Sequence, residues 1–285
     1  MRRMANLAFL GTGLIGAGMV EAALRRGESV TVWNRTAAKT APLAALGAKV
    51  APSPADAVRG AARVHVVLKD DAAVDDVLGR CRDALGAETV VVDHSTTSPA
   101  GVVARAARIP GYLHAPVFMS PQGSRDAKGM ILVSGPRARF ERVEAGLGAM
   151  TGEVWYLGER VDLAAAQKLF GNAMITLLVG ALADVYALAR SLGVPAPDAH
   201  ALFQRFKVGA VIDARGAKMA HGDYAPAFEL TMARKDVGLM LDAAGAEPLG
   251  LLPALAARMD ALIAAGHGGL DLAALSIDAV PPKQG

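Results

Sequence analysis

A length of 285 residues allows about two domains, and 53% apolar against 20% charged residues excludes an intrinsically disordered chain. A net charge of +3, from 30 Lys and Arg against 27 Asp and Glu with no long basic block, argues against a nucleic-acid or membrane-surface partner. One cysteine, Cys81, excludes an internal disulfide and fits the reducing cytoplasm.

Taken in chain order, Arg2-Arg3 before an apolar stretch imitates a signal peptide. That stretch holds a patterned glycine loop, however, and Glu21 and Arg25 follow it, so a cytoplasmic protein is expected. Short β-branched runs at 7–10, 29–33, 64–68, 89–93, 111–114, 131–134 and 154–157 alternate with Ala-rich stretches. The segments between the first four are long enough for crossover helices, which predicts right-handed βαβ units and a mainly parallel sheet. Gly27 and Gly47 read as helix-ending glycines. After Gly158 the strands stop. A single helix is predicted over 162–191, broken at Gly193-Val194-Pro195, with further helices over 197–207, 209–220, 231–245 and 253–265. The longest uncharged apolar run, 169–183 between Lys168 and Asp184, falls short of the roughly 20 residues that span a bilayer and reads as a buried helix. The tail, 281–285, reads as loose.

Gly11-Thr12-Gly13-Leu14-Ile15-Gly16 follows the first strand and opens the first helix. In that setting Gly11 permits the tight turn, Gly13 lets the backbone approach a pyrophosphate, and Gly16 allows close packing of helix and strand. The helix N-terminus offers free N–H groups and a partial positive charge to the phosphates. The expected fold is therefore an α/β Rossmann-type doubly wound sheet over 1–160, followed by an all-helical domain over 161–285, joined by the long helix. An NAD site usually ends its second strand with a carboxylate that accepts the ribose hydroxyl. Here Asn34-Arg35-Thr36 stands in that place. A guanidinium pairs with a 2′-phosphate, so NADP (NADPH) is the expected cofactor.

These residues resemble the β-hydroxyacid dehydrogenases, the family of 3-hydroxyisobutyrate dehydrogenase and of glyoxylate and succinic-semialdehyde reductases. The likeness runs along nearly the whole chain. It rests on the glycine motif with Phe9-Leu10 before it, on Asp93-His94-Ser95-Thr96-Thr97-Ser98-Pro99, on Lys168-Leu169-Phe170-Gly171-Asn172, and on Lys235-Asp236. The resemblance implies hydride transfer between the nicotinamide and a small β-hydroxyacid or semialdehyde. It implies Lys168 as general acid/base, Asn172 orienting the substrate, Ser95 on the substrate, Thr96 beside the nicotinamide, and Lys235 reaching over the cofactor. The residues allow this: Lys168 and Asn172 are four apart and share a helix face. An amine relieved of part of its basicity by burial can exchange a proton near neutral pH. Ser95 is also placed to brace its turn, with Ser98 before Pro99 as a helix cap.

Where the family usually shows Asp-Ala-Pro-Val and then Ser-Gly-Gly, this chain reads His114-Ala115-Pro116-Val117-Phe118-Met119-Ser120-Pro121. Phe118 and Met119 would narrow and grease the pocket, and Ser120 would replace part of the lost hydrogen bonding. The six histidines show no ligand spacing with one another or with Cys81, so no metal is expected. Asp70-Asp71 and Asp75-Asp76 read as a solvated face. Two other readings stay open. Imine reductases share the Asn-Arg-Thr signature but commonly place an acid or tyrosine where Lys168 stands. Non-catalytic NADP-binding regulators of the same superfamily tend to lose the lysine. The expected partners are a small-molecule substrate and other copies of the chain, as a homodimer or higher homo-oligomer paired through the apolar long helix.

Overall fold

The computed structural model describes residues 6–283, so Arg2-Arg3 and the last two residues of the expected tail lie outside the described residues. The chain divides into two compact units, one ending at Asn172 and the other beginning at Ala173.

The first unit is built on a six-stranded parallel sheet. Its strands are β1 (Asn6–Leu10), β2 (Ser29–Trp33), β3 (Lys49–Val50), β4 (Arg63–Val66), β5 (Val90–Asp93) and β6 (Tyr112–His114), in the order β3-β2-β1-β4-β5-β6. Strand β1 is buried on both faces, which is why it reads as a continuous apolar run rather than an alternating one. Leu7 and Phe9 pack with Val30, Val32, Val90 and Val92 on one side; Ala8 and Leu10 pack with Val64, Val66 and Val91 on the other. The strand order reverses between β1 and β4. The crevice beyond the carboxyl ends of those strands is where an open α/β sheet binds ligands, and the glycine loop leaves β1 at that point.

The expectation of one sheet needs correction. The runs near 131 and 154 belong to a second, three-stranded sheet, in which β7 (Val117–Phe118) runs antiparallel to β8 (Met130–Val133) and β8 runs parallel to β9 (Glu153–Tyr156). Proline has no N–H to give a ladder, and Pro116 stands where the first sheet ends and the chain departs for the second. Two-residue strands such as β3 and β7 carry too little periodicity to be seen in a sequence.

The long helix runs Leu163–Ser191 and ends, as expected, before Gly193, whose φ of 68° favours glycine. Its first turn belongs to the first unit: Ala164 and Ala165 are buried, and the Ser134 hydroxyl accepts from the Ala164 N–H. The helix is not the buried element expected. In its most apolar stretch only 11% is buried, and Phe170, Ile175, Leu177 and Val179 are each more than half exposed. By length and composition alone it could cross a membrane.

In the second unit, helices Leu230–Ala244 and Leu252–Leu262 close a core of Leu230, Val237, Met259, Leu262 and Ile277. Asp184, on the long helix, accepts from the backbone N–H groups of Gly250, Leu251 and Leu252 and so fastens the entry to the second of these helices. The predicted 209–220 helix is interrupted by a wider turn over Ile212–Gly216.

Candidate functional site

The glycine loop is shaped by what surrounds each glycine. Gly11 has φ +104°, and a Cβ there would lie 2.2 Å from the Val67 carbonyl oxygen. A Cβ on Gly16 would lie 2.3 Å from the Gly11 carbonyl oxygen, so the helix start folds back onto its own turn. A Cβ on Gly13 would meet nothing within 4 Å. Gly13 caps helix Leu14–Arg25 without any side-chain bond to the first N–H groups. Open space in front of unpaired helix N–H donors is the cradle a pyrophosphate fits.

Asn34 anchors this loop from the second strand. Its Oδ1 accepts from the Thr12 N–H at 3.1 Å, and its Nδ2 donates to the Thr36 carbonyl at 2.9 Å. The Thr12 hydroxyl donates in turn to the Lys39 carbonyl. Asn34 is thereby committed to holding the loop, while Arg35 is exposed. A cleft of about 210 Å³ is lined by Gly13, Asn34, Arg35, Thr36, Lys39 and Lys69, among others. Arg35 also borders a neighbouring recess lined by Trp33 and Arg80. Cations thus gather around Arg35; the one acidic residue lining the first cleft, Asp76, faces Arg80 at 3.6 Å. Leu14 and Ile15 start the helix, Leu14 largely exposed.

At the end of β5, Asp93 is fully buried and organises the next turn. Its Oδ1 accepts from the Ser95 N–H at 3.0 Å and its Oδ2 from the Tyr112 hydroxyl at 2.8 Å. Burial pushes the Asp93 carboxyl up, against the bonds from Ser95 and Tyr112 and the nearby Arg105 charge. Ser95 is buried, and its hydroxyl oxygen accepts from the Leu68 N–H at 3.0 Å, tying together the loops that leave β4 and β5. Thr96 is exposed at the tip of the turn. Ser98 caps helix Pro99–Arg108 as expected, accepting from the Gly101 N–H.

Two side-chain networks behind this turn escaped the sequence reading. Arg105 is fully buried and pairs with Asp71 at 2.8 Å and Asp75 at 3.2 Å, so these two acids are not simply a solvated face. Three of the histidines do meet or approach a polar partner in the core. His65 and His94 bond to each other, and His114 lies 3.4 Å from the Tyr112 hydroxyl. Among the described residues no group of three or more His, Cys, Asp or Glu could hold a metal.

Lys168 is 8% exposed, and its Nζ lies 3.7 Å from the centroid of the Phe118 ring. Burial lowers its pKa from the usual lysine value. Asn172 follows one turn later on the same face. Met119 is half-buried beside Gly129. Ser120 caps the short helix Pro121–Arg125 by accepting from the Gly123 N–H at 2.9 Å. Lys235 belongs to the second unit, where it pairs with Asp236 at 2.8 Å and is mostly exposed. The first unit therefore joins Thr12, Asn34 and Thr36 by hydrogen bonds, sets Arg35 beside them, and brings Phe118 to Lys168.

Comparison with known proteins agrees with this geometry. Residues 6–158 match the family described as the NAD binding domain of 6-phosphogluconate dehydrogenase. The chain is 30% identical over 213 residues to glyoxylate/succinic semialdehyde reductase 2 of Arabidopsis thaliana, a match covering 72% of this chain and 58% of that protein. It is 31% identical over 200 residues to the human cytokine-like nuclear factor N-PAC, covering 66% of this chain and 35% of that protein. The aligned part thus spans little more than half of one relative and about a third of the other. Among solved structures, an imine reductase from Myxococcus stipitatus in complex with NADP+ superposes with a TM-score of 0.83 at 26% identity, covering 95% of this chain and 98% of that one.

Proposed function

The chain belongs to the family of the NAD-binding domain of 6-phosphogluconate dehydrogenase, and from that premise we propose that it is an NADP-dependent oxidoreductase that reduces a small semialdehyde-type carbonyl, or oxidises the matching β-hydroxyacid. The observation that carries this reading is Lys168, a nearly buried amine on the long helix whose basicity burial has lowered. A dinucleotide held by its pyrophosphate at the glycine loop would supply or accept the hydride through its nicotinamide. Lys168 would donate its ammonium proton to the carbonyl oxygen as that oxygen gains charge, leaving an alcohol and a neutral amine that water reprotonates. Oxidation would run the same transfer backwards. Gly13 and the helix N-terminus would hold the pyrophosphate, and Arg35 would meet the 2′-phosphate. The Arabidopsis relative and the NADP+-bound structural neighbour support the reaction class and the cofactor.

A second reading, an imine reductase, is favoured by the apolar Phe118 lying against Lys168 and by the solved neighbour. Likeness to N-PAC, whose name is that of a nuclear factor and not of an enzyme, keeps a non-catalytic role as the remaining alternative. We further propose that the exposed apolar side of the long helix pairs with a second copy of the chain, since contiguous apolar surface of this kind marks an interface. Cys81, buried and with its thiol pushed up to about 11 by burial, fits the cytoplasmic location we assign.

The deciding experiment follows NADPH consumption with semialdehydes, glyoxylate and cyclic imines, beside Lys168→Met. Turnover of the carbonyl compounds that falls about 10²–10⁴-fold in the variant, with NADPH binding intact, supports the proposal. Turnover of imines alone selects the second reading, and NADPH binding without any turnover the third. Full activity in Lys168→Met overturns the role given to the lysine.

A further inference from the structure

The Lys168 ammonium is held without an anion. Among the described residues no salt bridge reaches it, and burial lowers its pKa from the usual lysine value. What its Nζ does meet is the face of Phe118, 3.7 Å from the ring centroid, well within the range of a cation–π contact. The ring has a defined seat. Phe118 sits on β7, paired with Met130 on β8, and its edge lies over Gly171, one turn on from Lys168. A Cβ on Gly171 would fall 2.3 Å from Phe118 Cζ and 2.8 Å from Cε1. No side chain fits at 171 while the ring stays where it is. A residue without a side chain in the middle of a 29-residue helix weakens that helix, so the space it leaves has a use.

We propose that Phe118 is a positioning residue for Lys168, its ring face fixing the ammonium in place of a carboxylate, in a seat that Gly171 keeps open. The consequence for chemistry rests on the reading of Lys168 as the proton donor. A carboxylate at this spot would fix the amine equally well but would hold its proton tightly and would repel an oxygen gaining negative charge. An aromatic face attracts the cation through its quadrupole and adds no net charge. It offsets part of the effect of burial and favours the ammonium form, without holding the proton as tightly as a carboxylate would.

The test reads the lysine directly. In protein labelled with 13C-lysine, the Cε resonance that disappears in Lys168→Met is followed by NMR against pH, without substrate. Phe118→Leu keeps the site apolar and removes the quadrupole. Its Lys168 midpoint is expected to fall by roughly 0.5–1.5 pH units, whereas Phe118→Tyr leaves the midpoint in place. Gly171→Ala, which displaces the ring, is expected to lower it in the same direction, and the double variant no further than either single one. If Phe118→Leu does not fold, Gly171→Ala carries the same comparison. An unmoved midpoint in the folded variant overturns the proposal. Because the readout needs no turnover, it stands or falls separately from the reaction: a shifted midpoint in a protein that reduces nothing would spare the contact and sink the proton-donor reading.

Discussion

His65 and His94, 29 residues apart in sequence, share a hydrogen bond of 2.8 Å between Nδ1 of the first and Nε2 of the second, with their rings nearly parallel in the core. The direction of every proton in this row is fixed by its ends. At one end Nδ1 of His94 lies 2.7 Å from the Ala115 carbonyl, which can only accept. His94 Nε2 must then accept from His65 Nδ1–H, and His65 Nε2 must accept from the Arg63 Nε–H, 2.8 Å away. Both rings are therefore neutral, and a further proton on either would face another N–H.

Acid stability should follow from this. Burial, with the nearby charges, lowers His65 far below its usual value, His94 to about 4 and His114 to about 3. In the unfolded chain all three titrate near 6.5. Below that pH the unfolded state binds more protons than the folded one, so stability is present above about pH 6.5 and is lost as pH falls toward 4, by up to roughly 1.4 kcal/mol per histidine per pH unit. Asp93, its carboxyl raised by burial, opposes this with one proton. Urea denaturation at pH 7, 6 and 5 is expected to show a steeply falling midpoint. A midpoint flat across that range would mean that the rings are protonated in the folded protein.

Arg105 makes the next prediction. Its guanidinium is completely buried, bonded to Asp71, Asp75 and the Tyr112 hydroxyl, and lies 3.8 Å from Asp93. Asp71 and Asp75 are each more than a third exposed and are screened by water, so the group left uncompensated without the guanidinium is the buried Asp93, at a cost of up to about 3–5 kcal/mol. Arg105→Leu is expected to lose stability on that scale, read from urea unfolding at pH 7. A loss below about 1 kcal/mol would show that Asp93 needs no charge from Arg105 to hold the turn at Ser95.

How much of this could be read from the sequence follows from distance along the chain. The glycine loop was legible because its turn, cradle and helix start all lie within Gly11 to Gly16. Lys168 and Asn172 were legible as one helix face for the same reason. The Arg105 network was not, since its acids stand 34 and 30 residues away and look from sequence like surface charges. The histidine row runs between neighbouring strands and leaves no periodic trace. The Phe118 contact joins a two-residue strand to a helix some fifty positions later. The exposure of the long helix left no mark in the sequence, because apolar composition does not tell a covered surface from an open one.

Arg35 and Asn34 should separate by cofactor. Arg35 is exposed on the cleft and free to meet a 2′-phosphate, while both bonds of Asn34 serve the loop. Arg35→Ala is expected to weaken NADPH roughly 10- to 100-fold, the worth of a charge-assisted contact, and to leave NADH unchanged. Asn34→Ala is expected to weaken both nucleotides, because the Thr12 N–H loses its acceptor. Fluorescence titration of the two nucleotides checks this. Equal losses of NADPH and NADH in Arg35→Ala would remove the arginine from phosphate recognition.

Gly13 and Gly16 differ in what a methyl group would strike, and the contrast tests where the cofactor lies. At Gly16 the methyl would lie 2.3 Å from the Gly11 carbonyl oxygen, so Gly16→Ala must disturb the turn itself and is expected to lower both stability and nucleotide affinity. At Gly13, where φ is −68° and nothing lies within 4 Å, alanine strains no backbone and touches no neighbour. Gly13→Ala is therefore expected to lose at most about 1 kcal/mol of stability, as a helix cap without a side-chain bond would. Its methyl would occupy the space a pyrophosphate needs, so nucleotide affinity is expected to fall at least tenfold. Thermal unfolding without nucleotide and titration with NADPH separate the two effects. A Gly13→Ala protein that binds NADPH as the parent does would place the pyrophosphate away from the helix start.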